Sequence, residues 1–406
     1  MAAVTTTNNA ALYKRWYENR RNVQDLTYPN APLWGMLPKR EDFTGAALGV
    51  AIITDGPVGG RSHTFTNAQG NKTAGTESQF LITRVKDYSL ISIEQEALLA
   101  AKDDKGAFLK MAKLKTDQAL KSLTHNLSFA LYGNGGAARG QVGSTSTTTL
   151  TLKDTNDVVN FAVGQYLDSS TTDGTSGSAD GGSKQVTAIN RQAGTLTAAT
   201  NWTSASNFSD DDYIFVVGDF GAAVSGLDAW LPASAPGATA FFGVDRSVDT
   251  DRLGGIRYDG TSDTIEEALI NAEAELAGIA GGDPTTVFMH PKDVRTLKIQ
   301  LGSKVQYDVV KSVDRADISW PAVVLHGSRR AIRVIADAFC PKGVCYMLDL
   351  STWMFASLGR APMIGKALGA QFQWDSSADS VEIRAMWYGQ LYCNAPGYNV
   401  RIDLPG

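Results

Sequence analysis

Cysteine is scarce in this chain: Cys340, Cys345 and Cys393 are the only three in 406 residues. An odd number this small excludes a disulfide framework and leaves reduced thiols as the expectation. Cys340 and Cys345 flank the turn Pro341-Lys342-Gly343, so their thiols are expected to face each other near a hairpin, with too few further ligands for zinc. Histidine is also sparse. None of His63, His125, His290 and His326 has a second His three or four residues away, or a Cys or carboxylate at metal-ligand spacing. No apolar run reaches the roughly 18–20 residues of a membrane helix. The start, Met-Ala-Ala-Val-Thr-Thr-Thr-Asn, lacks the basic and apolar regions of a signal peptide. Positive charge is not in excess: 37 Lys and Arg face 42 Asp and Glu, a net −5, so there is no broad cationic field for nucleic acid.

Catalytic motifs are missing as well. There is no Gly-x-Ser-x-Gly elbow. The run Gly133-Asn134-Gly135-Gly136-Ala137-Ala138-Arg139-Gly140 follows a helical pattern and lacks the Lys-Ser/Thr ending of a phosphate loop, so it reads as a helix stop and hinge. Asp219-Phe220-Gly221 matches a kinase tripeptide without its companion motifs. Asp210-Asp211-Asp212 reads as a solvated turn. No catalytic residue, cofactor-binding residue, cofactor or metal ligand is assigned, and the chain reads as a non-enzyme.

What is present is a succession of elements that do not cover themselves. Residues 1–45 carry a basic-aromatic run, Tyr13-Lys14-Arg15-Trp16-Tyr17-Glu18-Asn19-Arg20-Arg21, then Pro29, Pro32, Gly35 and Pro38, which forbid a regular helix or central strand. Leu33, Trp34 and Leu37 on such an arm need a surface to leave water, either a partner's or the chain's own core. From 48 to 93, two β runs ending near Ile53 and beginning near Phe80 enclose a glycine-rich polar tip, predicting a long hairpin. Its middle, 61–78, holds only Phe65 as a large apolar residue, so Arg61, Phe65, Lys72 and Phe80 become candidate contacts with a neighbouring molecule. From Asp103 or Asp104 to Tyr132, Leu109, Ala112, Thr116, Leu120, Leu123, Leu127 and Leu131 recur at three- and four-residue steps. They predict a long spine helix of roughly 40 Å with one buried stripe, its core at Leu120, Leu123, Leu127 and Leu131.

Residues 141–232 are rich in Thr, Ser, Gly and Asp. Short β runs at 147–152, 158–163, 185–189, 195–198 and 213–217 predict a small antiparallel barrel or sandwich inserted into a host fold. Beyond it the α+β texture returns. Asp263-Thr264-Ile265-Glu266 reads as a capping-box start to a helix with an apolar stripe to Ile279, a buried strand at 286–290 runs into a helix begun by Pro291, and strands follow at 322–325, 333–336 and 344–348. The end alternates, with Val381, Ile383, Ala385 and Trp387 against Glu382 and Arg384, predicting half-buried antiparallel sheet.

This order of parts resembles the major capsid proteins of tailed bacteriophages, the Hong Kong 97-like fold, over nearly the whole chain. The resemblance implies an α+β fold with an N-terminal arm (1–45), an extended E-loop hairpin (46–95), spine helix and peripheral domain (96–140), the inserted all-β domain (141–232), an axial domain (233–340), the peripheral sheet (341–394) and a return to the axial domain (395–406). Thr286-Val287-Phe288-Met289-His290-Pro291-Lys292-Asp293-Val294 is similar to the family's axial strand, His-Pro and helix, and Trp320-Pro321-Ala322-Val323-Val324 to the strand after it. It further implies self-assembly in hexamers and pentamers into an icosahedral shell around double-stranded DNA, with loose contact to that DNA. Scaffolding, portal and decoration proteins would be its partners, the location would be a virion capsid assembled in the bacterial cytoplasm, and no membrane would be involved. Two other readings stay open: an encapsulin-type compartment shell with the same fold, and a glycan-binding or glycan-processing protein using the β region. Lys72 lies where some members cross-link, but no partner asparagine is evident, so that chemistry is not transferred.

Overall fold

The computed structural model describes residues 31–55, 58–94, 105–203, 207–302, 323–327, 330–365, 373–374 and 379–405. The basic-aromatic run 13–21 and Trp320-Pro321 lie outside them. Three packed bodies follow from the hydrophobic pattern, each with its own buried cluster.

The first is organised by one long strand, Ser380–Cys393. Its alternation puts Ile383, Ala385 and Trp387 inside while Arg384 is exposed, as a one-sided antiparallel strand requires. It pairs with Val85–Glu94 along ten register positions, with Trp353–Ser357, and with the short strands Met363–Ile364 and Gln373–Trp374. The helix Lys105–Ala130 packs on this sheet. Of its expected stripe, Leu123 and Leu127, with Leu131 just past the helix end, are buried in the central cluster and Leu120 is half-buried against it, while the side chains of Leu109 and Ala112 lie outside the described residues.

The second body is a six-stranded mixed sheet in the order Ile256–Asp259, Val400–Asp403, Val344–Leu348, Thr286–Met289, Ala331–Ala336, Val323–His326. Successive side chains go to opposite faces. Val287, Met289, Val334, Cys345 and Met347 join the cluster under helices Ile265–Ile279 and Pro291–Leu301, whereas Phe288, Ile335, Tyr346 and Leu348 join the central cluster. The sheet therefore fuses the two bodies. The capping box is one residue later than expected, with Thr264 and Glu267 bonding reciprocally in place of Asp263 and Glu266, and His290 accepts from the Lys292 amide ahead of Pro291, where the second helix begins as expected.

The third body is a closed six-stranded barrel of Gly140–Ser146, Thr149–Leu152, Tyr166–Ser170, Lys184–Asn190, Thr195–Ala198 and Tyr213–Val216. Two expectations are corrected. Residues 158–163 are not a strand: Thr155–Asn160 is a 3-10 helix, because the Asp154 carboxylate accepts from the Asn156 amide and caps it at 2.8 Å. The insert also ends before 232. The last barrel strand stops at Val216, and Val224, Leu227, Trp230 and Leu231 are fully buried in the central cluster, so 217–232 serve the body. The connections in and out pair with each other. Gly221 and Ala223 donate to the carbonyls of Gly136 and Gly135 at 3.0 and 3.2 Å, and Gly226 to Gly133 at 3.0 Å. The run expected as a hinge is thus one side of a laddered neck, with Gly135 at φ 94°, where a side chain would be strained.

Candidate functional site

The hairpin strands Ala47–Asp55 and Thr76–Thr83 pair from Ala47 with Thr83 to Asp55 with Thr76. Residues opposite each other share a face. Ile52, Phe80 and Ile82 are buried on the body, while Ile53 and Leu81 on the reverse face are exposed. The tip is not the bare polar loop the sequence predicts. It contains a helix, Phe65–Gly70, and is tied internally by Gly59 donating to Thr73 Oγ1 at 2.9 Å. A Cβ at Gly59 would meet the Thr73 side chain at 2.5 Å, so glycine is required there. Phe65 remains 80% exposed, and Arg61 and Lys72 beside it are exposed too.

Four of the seven candidate neighbour contacts are corrected. Leu33, Trp34, Leu37 and Phe80 are covered by this chain itself, because its central cluster supplies the surface they need. Trp34 meets Phe355 edge-on at 5.0 Å, and Phe80 meets Trp230 at 5.1 Å. The buried Asp337 carboxylate holds the segment in place: it accepts from the Leu33 amide at 3.4 Å, the Phe339 amide at 3.0 Å and the Tyr132 hydroxyl at 2.9 Å. Burial pushes this carboxyl above the usual range, and those hydrogen bonds oppose the rise. Arg61, Phe65 and Lys72 are the candidates that stay uncovered.

Where the long helix, the strand Val85–Glu94 and the barrel neck meet, there is a cavity of about 430 Å3. Phe129, Val224 and Trp387 give it an apolar floor. Arg139, only 7% exposed, donates to the Asn160 carbonyl at 3.0 Å and to Asn126 Oδ1 at 3.2 Å, and lies 3.8 Å from Asp219. Asn126 also bonds the Asp87 side chain, and burial and then the negative Asp219 raise the Asp87 pKa. The indole Nε1 of Trp387, a buried residue lining this cavity, has no hydrogen-bond partner. Arg84 at the rim is engaged by the Phe43 carbonyl and ring, and Lys86 is exposed. Sequence reasoning missed this constellation. Its members are spread from 84 to 387, and the two runs that held Arg139 and Asp219 carried no recognisable spacing. Among the described residues no group of three or more His, Cys, Asp or Glu side chains is placed to hold a metal.

No family model matches the chain, and no curated protein sequence matches it. Solved structures do. A chain of the cyanophage A-1(L) capsid asymmetric unit aligns with a TM-score of 0.51 and 14% identity, covering 96% of this chain and 98% of that one. The protein has the fold of a phage capsid chain. The capsid of a native GTA particle aligns at 0.47 with 10% identity (95% of this chain, 93% of that one), and the SrpI encapsulin of Synechococcus elongatus PCC 7942 at 0.43 with 7% (96% and 94%). Of these three, the cyanophage chain carries the fold assignment. The likeness read from the order of elements therefore holds at the level of fold, with hairpin, spine helix and two sheets in sequence.

Proposed function

We propose that this chain is a major capsid protein, the repeated tile of the icosahedral head shell that encloses the double-stranded DNA of a tailed phage. The observation that carries the reading is the phage capsid-chain fold across 96% of the molecule. The uncovered hairpin tip supports it. In this reading the mixed sheet with its two helices is the axial domain, and the long-strand sheet with the spine helix is the peripheral domain. Self-association proceeds through hexamers and pentamers inside the host cytoplasm, with scaffolding, portal and decoration proteins as partners. A heterologous contact between different patches of identical chains closes into rings, as such a shell needs.

Charge distribution supports placing the barrel away from the genome. Between Gly140 and Val216 there are eight Asp and three Lys or Arg, an excess of five carboxylates equal to that of the whole chain, 42 against 37. The rest of the chain is therefore balanced. A barrel carrying the entire negative excess is repelled by phosphate backbone, and a balanced wall leaves packaged DNA unattached. Negative-stain imaging of the purified full-length chain tests the function: closed shells are expected, and a monodisperse monomer under every condition tried overturns it.

A further inference from the structure

We infer that the inserted barrel braces the two larger bodies against each other through its 3-10 helix Thr155–Asn160, one end of which grips the spine helix and the other the helix Pro291–Leu301 over the mixed sheet. The brace is a property of the single chain and goes beyond the capsid reading. A neck alone would let the barrel swing. The six-residue 3-10 helix is fixed within the barrel, because Val158 and the adjoining Phe161 are buried in the barrel's own cluster. A Cβ at Gly140 would come within 3.1 Å of the Asp157 Cβ, so the glycine of that strand lets the helix lie close.

At its C-terminal end the contact with the spine is buried and reciprocal. The Asn160 carbonyl accepts from the Arg139 guanidinium at 3.0 Å, and the Asn160 side-chain amide donates to the Arg139 carbonyl at 3.1 Å. The same guanidinium reaches Asn126 Oδ1 on the spine helix at 3.2 Å and lies over the ring of the spine's Phe129 at 5.9 Å. Arg191 donates to the Val158 and Phe161 carbonyls at 3.1 and 3.2 Å, so two cations meet the carbonyls left open at the helix end. At the N-terminal end, Asp154 Oδ1 accepts from the backbone and side-chain amides of Asn156 at 2.8 and 2.6 Å. With its amide so held, Asn156 turns Oδ1 to the Lys292 ammonium, in the first turn of Pro291–Leu301, and accepts from it. Asp154 acts on the same turn: burial lowers the pKa of His290, which caps that helix, and Asp293 and Asp154 oppose the fall.

From Asn156 to Asn160 the two grips stand about 8 Å apart along a 3-10 helix. Elsewhere the bodies meet through one apolar face, where Phe288, Ile335, Tyr346 and Leu348 enter the central cluster. Apolar burial is non-directional, so that face sets the separation of the bodies more firmly than their angle. Hydrogen bonds at a second place are directional, and they close a triangle of barrel, spine and mixed sheet. The barrel therefore holds the angle. In a shell that angle decides the curvature at which tiles meet, and this consequence alone rests on the shell reading.

The test measures the angle in the unassembled full-length chain with spin labels at Ser92→Cys and Ala274→Cys, both exposed, one on the long-strand sheet and one on helix Ile265–Ile279. The native cysteines are buried and stay unlabelled. Asn156→Ala and Lys292→Ala are each expected to widen the interlabel distance distribution at least twofold, with the melting midpoint unchanged. The exchange of Asn156→Lys with Lys292→Asn in one chain is expected to restore the parental width, since amide and ammonium then meet in reversed places. Parental width in both single variants overturns the inference, and so does an exchange that stays as wide as they are. Under the shell reading, Asn156→Ala particles of more than one diameter are expected in negative stain. A parent chain that forms no particles contradicts the shell reading, while the label distances still decide the brace.

Discussion

The barrel and the hairpin are both β excursions from the same body, and they solve the edge problem in opposite ways. The barrel closes its hydrogen-bond ladder on itself and buries twelve side chains, among them Trp202, Phe161 and Phe208, so it leaves no strand edge to pair with another chain. The hairpin has two strands, one face on the body and the other in water, and ends in a cationic tip with an exposed phenylalanine. The closed excursion is self-sufficient and therefore separable. In the proposed shell the open one is completed by a neighbouring copy.

The sharpest way to break this comparison is to cut at the wrong place. Excising 141–232 removes Leu227, Trp230 and Leu231 from the central cluster, and truncation of one such tryptophan alone costs about 3–5 kcal/mol. Expression trials are expected to give no soluble protein. Replacing 56–75 with Asn-Gly rejoins Asp55 and Thr76, which already pair, through a tight turn. Such a chain is expected to melt as the parent does and to form no closed particles under the microscope. Replacing 137–220 with two glycines joins Gly136 to Gly221, which are hydrogen-bonded at 3.0 Å. A folded monomer is expected by circular dichroism.

The smallest effect concerns the barrel alone. Burial, and then the charge of Asp154, raise the pKa of Asp157 to about 7, against about 3.9 in an unfolded chain. Between those values the folded barrel holds a proton that the unfolded chain has released. Its stability therefore falls as pH rises through roughly 4 to 7 and is level above. Asp157→Asn is expected to flatten that slope and to stabilise the protein at pH 8 by about 1–3 kcal/mol in urea titrations.

Legibility in the sequence followed how local the determining physics is. Helix Ile265–Ile279 was readable, with its cap placed one residue early, because cap and stripe lie within sixteen residues, and Pro291–Leu301 because proline opens it. The spine stripe and the antiparallel barrel were readable from period and turn chemistry. Coverage was not. Trp34 and Phe65 are both aromatic residues on glycine- or proline-broken segments, yet Trp34 is packed on Phe355, some 320 residues away, and Phe65 on nothing in the described chain. Only the fold distinguishes them. The same holds for the cavity, whose Asp87 and Trp387 are opposite each other in a strand pair that no local pattern specifies. The 3-10 helix at Thr155–Asn160 was hidden because Val158 and Val159 favour strand, while the overriding signal is a single capping carboxylate at Asp154.

Sedimentation velocity on the full-length chain beside the chain lacking its hairpin tip addresses the central claim most directly. The account predicts fast-sedimenting closed shells for the first and a species near 43.3 kDa, scaled for the deletion, for the second. Identical behaviour of the two, whether both assemble or both remain single chains, would contradict it.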